Sequence, residues 1–113
     1  MSLPTSMHRR TKATSISRDV KRKVYLRDKC SCILCHRYAC PEWACAHVIP
    51  RSRGGMGVEQ NIVTLCPVCH RRYDTAREPE RTETEKYLTE YLEGLYGPIS
   101  RSDVVFDKWR FLK

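Results

Sequence analysis

The chain has 113 residues, enough for one modest domain and too few for two comfortable ones. Its 21 Lys and Arg exceed its 13 Asp and Glu, and the net charge of +8 points to an acidic partner, most often nucleic acid. No stretch approaches the apolar length of a membrane span, and the opening "MSLPTSMHRR" lacks the apolar core of a signal peptide. The expected setting is therefore cytoplasmic, with no membrane partner.

Residues 1–16 lack hydrophobic periodicity and read as a flexible basic arm. Residues 1–30 carry nine Lys or Arg against two Asp or Glu, so most of the excess charge sits in the first quarter. That layout suits an arm and helix lying along a phosphate backbone. The arm is expected to serve such binding and to lie apart from any chemical site. Ser17 is expected to cap a helix over "RDVKRKVYLRD", with Asp19 in its first turn and Val20 and Val24 four apart. Cys32 to Cys35 should then form a knuckle. "ACAHVI", residues 44–49, is small and β-branched and reads as a strand.

"PRSRGGMGVEQ", residues 50–60, holds three of the five glycines and should be a hairpin loop. "NIVTLCPVC" returns towards the first strand and makes a second knuckle, and "HRRYD" starts or extends a helix. Pro79 suits the first turn of a further helix with apolar positions Leu88, Tyr91, Leu92 and Leu95, ended by Gly97 and Pro98. The main domain is thus expected over 17–97. An aromatic-rich tail, 98–113, should pack on the domain or on a partner.

Seven cysteines are present, and an odd number in a reducing compartment favours metal ligation over disulfides. "CILC" at 32–35 and "CPVC" at 66–69 are two C-x-x-C knuckles, the spacing of a closed structural Zn2+ site with ligands Cys32, Cys35, Cys66 and Cys69. A redox C-x-x-C is the competing reading, made poor by two copies without a thioredoxin-like pattern. Cys30 could in principle displace Cys32, but only Cys32 has the two-residue gap to Cys35. Cys30, Cys40 and Cys45 read as small buried apolar residues. A four-thiolate site has no open position for substrate, so this metal holds the fold.

"CILC", "AHVIPRSRGG", "NIVTLCPVCH" and the preceding "VYLRD" together resemble the HNH, or ββα-metal, endonuclease family over roughly residues 18–75. The resemblance implies a small α+β fold, with a two-stranded antiparallel hairpin and a helix, zinc knuckles and flanking helices. It implies hydrolysis of DNA phosphodiesters with a second, catalytic divalent cation such as Mn2+ or Mg2+. His47 occupies the first-His position and is the expected general base, since an imidazole with a pKa of about 6.5 can take a proton from water near neutral pH. Asn61 matches the middle Asn and is expected to pin the loop and orient His47; a purely structural turn Asn is the alternative. His70 matches the final His and should ligate the catalytic metal.

Many family members carry a metal-binding Asp or His before the catalytic His, where this chain has Ala46. In the bacteriocin-like branch a second ligand lies four residues after the first helical one, which is the place of Asp74. A solvated charge pairing with Arg71 or Arg77 is the alternative for Asp74. Arg51, Arg53, Arg71 and Arg72 flank the site as candidate phosphate contacts, about half of which should act as such. The leading function is a metal-dependent DNA endonuclease with little sequence specificity. The alternatives are a catalytically weak zinc-ribbon DNA-binding module, or an accessory subunit of a phage packaging or restriction complex. A homodimer or such a complex is a possible assembly.

Overall fold

The structure is a computed structural model that describes residues 11–41 and 44–106. Helix α1 (Arg18–Arg27) opens at Ser17, whose hydroxyl accepts from the Val20 amide, and Asp19 in its first turn complements the helix dipole. It buries Val24 against a hairpin of β1 (Cys45–His47) and β2 (Ile62–Thr64). The strands pair antiparallel, with Cys45 opposite Thr64, Ala46 opposite Val63 and His47 opposite Ile62.

The first strand is shorter than its sequence suggests. Residues 44–49 look uniformly strand-like, yet the strand is Cys45–His47; the Val48 amide still donates to the Asn61 carbonyl, and Ile49 leaves the ladder. The Asn61 side chain takes both backbone groups of Ile49, its Oδ1 accepting from the amide and its Nδ2 donating to the carbonyl. A side chain that satisfies the backbone in this way competes directly with strand pairing.

Helix α2 (Pro67–Thr75) follows β2, with Cys66 at its N-cap and Pro67 at its start, where a missing N–H costs nothing. Buried Tyr73 fixes it to the hairpin: its hydroxyl donates to the Val48 carbonyl at 2.6 Å, and Arg81 stacks on its ring. Helix α3 (Glu80–Tyr96) starts one residue after Pro79 and ends at Gly97, in the left-handed region with φ 79°. Leu88 and Leu92 are buried in the core with Val63, Leu65, Ala46 and Tyr73. Leu95, expected on the same stripe, is half exposed, so the buried face of α3 stops at Leu92. A short α4 (Arg101–Val104), held by a Ser100–Asp103 capping box, precedes buried Val105.

An ion pair beneath β2 joins these pieces. Asp28 is buried, receives both forks of the Arg27 guanidinium at 2.8 and 3.0 Å, and also accepts from the Thr64 amide and the Tyr91 hydroxyl. Arg27 in turn donates to the carbonyls of Glu59 and Ile62. Four separate elements meet at one carboxylate and one guanidinium, each with its hydrogen-bonding capacity filled. Among the described residues, no helix is long and apolar enough to cross a membrane.

Candidate functional site

The two knuckles bring Cys32, Cys35, Cys66 and Cys69 together, with their sulfurs all within 4.8 Å of one another. Cys35 Sγ and Cys66 Sγ, from different knuckles, are 3.7 Å apart. Four sulfurs about 2.3 Å from a tetrahedral ion would be roughly 3.8 Å apart, so the quartet fits a metal ion such as zinc. Within each knuckle a backbone amide points at the first sulfur, Cys35 N to Cys32 Sγ and Cys69 N to Cys66 Sγ.

Burial opposes ionisation of Cys32, yet the amides of Cys35, Cys66 and Leu34 outweigh it and lower the thiol to about 7. Burial and the thiols of Cys66, Cys32 and Cys35 push Cys69 the other way. Crowding ionisable sulfurs is costly without a cation and favourable with one. Cys30 lies outside this cluster. Of the three remaining cysteines, Cys30 and Cys45 are half-buried, and Cys40 is exposed rather than buried. Cys40 follows the first knuckle, two residues after the Ser31–Tyr38 bridge.

His47 stands at the end of β1, half-buried. Its Nε2 lies 2.7 Å from the Thr14 carbonyl. A carbonyl only accepts, so Nε2 carries the hydrogen and Nδ1 of the neutral ring holds the lone pair. Burial lowers the His47 pKa below its ordinary value, against the Thr14 carbonyl, which favours protonation; the charges of Arg51 and His70 lower it further. The ring is thereby held as a free base at neutral pH. Ala46, before it, is buried in the core and supplies no ligand.

Buried Asn61 has all its amide groups engaged: besides Ile49, its Nδ2 donates to the Met56 carbonyl at 2.9 Å. It closes the loop that starts two residues after His47. Gly55 makes that closure possible, because a Cβ there would fall 1.7 Å from the Ile49 carbonyl oxygen.

His70 and Asp74 project from one face of α2, with Nε2 and Oδ2 3.4 Å apart. Adjacent ligands about 2.1 Å from one cation would be roughly 3 Å apart, so the pair fits two positions on a divalent ion. Asp74 faces His70 rather than Arg71 or Arg77. The pair lines an open cleft of about 360 Å³ with Pro67, Arg71 and Thr75.

The four arginines differ. Arg53 is paired with Glu85 and Arg72 with Glu80, whereas Arg51 reaches Thr14 Oγ1 and Ser15 Oγ, each at 3.4 Å. Arg71 is exposed and borders the cleft.

Compared with known families, residues 32–75 match the one described as HNH endonuclease. The matched segment, somewhat under half of the chain, spans both knuckles, the hairpin and α2. Anaredoxin of Nostoc sp. (strain PCC 7120 / SAG 25.82 / UTEX 2576) is 56% identical over 27 residues, 24% of this chain and 36% of that protein. The chain thus spans about a third of that relative's length.

Two groups around His47 and its loop escape a sequence reading. The Thr14 carbonyl is backbone, which no side-chain motif marks. Residues 11–14 are helical and Thr14 is buried, so the expectation that residues 1–16 lie apart from the site fails for this part. The other is the pairing of the chain's far end with the glycine loop, through the Gly55–Val105 bridge and the Phe106 N–H to Gly54 carbonyl bond. Residues 1–10 of the arm, and Trp109, Phe111 and Leu112 of the tail, lie outside the described residues.

Proposed function

We propose that the protein is a metal-dependent DNA endonuclease that hydrolyses phosphodiester bonds with little sequence specificity. The observation that carries this reading is the half-buried His47, with Nε2 committed to a carbonyl and Nδ1 left as a base. We assign Zn2+ to the cysteine quartet, where it is structural.

In the reaction, His47 Nδ1 takes the proton of the attacking water as its oxygen bonds to phosphorus, and the bond to the leaving oxygen breaks. His70 and Asp74 would hold the catalytic ion, and Arg71 is the best-placed side chain to meet a phosphate oxygen. When bound, a divalent cation supplies neutralisation of charge on the phosphorane-like transition state and the leaving oxygen. The leaving oxygen takes up a proton from solvent, and the imidazolium returns its own to solvent. DNA is the partner that the charge of the first quarter suits, held through its phosphates.

A site with one imidazole and one carboxylate favours Mn2+, Co2+ or Ni2+ over the harder Mg2+. Nicking of supercoiled plasmid is expected to be about tenfold faster in Mn2+ than in Mg2+ at equal subsaturating concentration. Asp74→Ala should raise the metal concentration for half-maximal rate by about tenfold or more. Because Asp74 is exposed, its melting temperature should stay near wild type. Equal rates in the two metals, with Asp74→Ala indistinguishable from wild type, would refute this ligand set.

A further inference from the structure

We propose that residues 11–16 form a strap whose Thr14 carbonyl positions His47 for proton abstraction, a role that rests on the nuclease reading above. Four contacts seat the strap. The Gly57 amide donates to the Ala13 carbonyl at 2.9 Å, and Thr14, only 3% exposed, directs its carbonyl at His47 Nε2. Arg51 reaches the hydroxyls of both Thr14 and Ser15.

Gly57 shows how close the seating is. A Cβ at this position would fall 2.1 Å from the Ser15 carbonyl oxygen and 3.0 Å from Ile16 Cα. Both are backbone atoms, so no side-chain movement relieves the overlap. Gly57 itself has no positive φ, so the backbone there would accept another residue if the strap were absent. The third glycine of the loop is therefore the socket of the strap.

A histidine acting as a base needs a fixed ring and a fixed proton on its other nitrogen, and the usual partner is a carboxylate or carbonyl. Here that partner comes from chain lying before α1, outside the matched HNH segment. Thr14 acts through His47, so it is a positioning residue.

The test uses full-length Gly57→Leu, with Gly57→Ala as a milder variant, and two readouts. In wild type, nitrogen-edited NMR should show a hydrogen-bonded, slowly exchanging Nε2–H resonance of His47. Gly57→Leu should lose that resonance and cut DNA with kcat lowered about tenfold to a hundredfold, while KM for DNA stays within about twofold. Gly57→Ala should fall between.

A wild type without the resonance overturns the proposal. So does wild-type kcat in Gly57→Leu, or slowed cleavage with the resonance intact. If Gly57→Leu does not fold, Gly57→Ala and the wild-type resonance decide. Wild type that cuts no DNA in any divalent metal would sink the nuclease reading instead, and the resonance would still show whether the strap grips His47.

Discussion

Replacing Cys69 by serine is expected to leave the protein unfolded or aggregated. The quartet joins the first knuckle to the start of α2, and buried Cys32 is part of the hydrophobic core. Loss of one ligand therefore opens a metal site and a packing centre together. Structural zinc sites contribute an apparent 10–16 kcal/mol in small peptides at neutral pH, about the size of the whole stability of a small domain, roughly 5–15 kcal/mol. Burial and its three thiol neighbours disfavour the charged form of Cys69, which a cation would stabilise. Circular dichroism melting and zinc content check the outcome together. A soluble, cooperatively melting, zinc-free Cys69→Ser protein would contradict a structural metal.

The second large effect is expected from His47→Ala, on rate rather than stability. His47 is half-buried at the edge of the hairpin, whereas its neighbours Ala46 and Val48 carry the packing. The fold, the zinc content and the affinity for DNA should persist. The single-turnover cleavage rate should fall by about a hundredfold to ten-thousandfold, the usual contribution of a positioned general base. Added imidazole should restore part of it. A wild-type rate in His47→Ala would assign proton abstraction to another group.

The parts of the fold that could be read in advance are those where a side-chain type is required at a set spacing. Cys32, Cys35, Cys66 and Cys69 are such a case, because thiolates two residues apart are what a knuckle needs. Ser17 as a cap and Gly97 as a stop are local decisions of the backbone, and they too are visible in sequence. His47, Asn61 and His70 are recognisable by type, and the structure adds what each touches.

What escaped the sequence depends on contacts between distant stretches of chain. Thr14 acts through a carbonyl that any residue would carry, from a stretch whose composition reads only as a basic arm. The shortening of β1 reflects Asn61 capturing Ile49 across the loop, an interaction twelve residues apart that strand propensity does not weigh. Leu95 has helical spacing like Leu88 and Leu92, but periodicity does not say where the neighbouring surface ends. Arg53 and Arg72 look like free cations in sequence, and only the fold supplies Glu85 and Glu80 as their partners.

The most direct measurement is the fate of supercoiled plasmid incubated with the full-length protein in Mn2+, beside an identical reaction with excess chelator. A metal-dependent endonuclease should convert the plasmid to nicked and then linear DNA in Mn2+ and leave it supercoiled with chelator. Plasmid left intact in Mn2+, Mg2+, Co2+ and Ni2+ alike, by folded protein carrying its zinc, would contradict that activity.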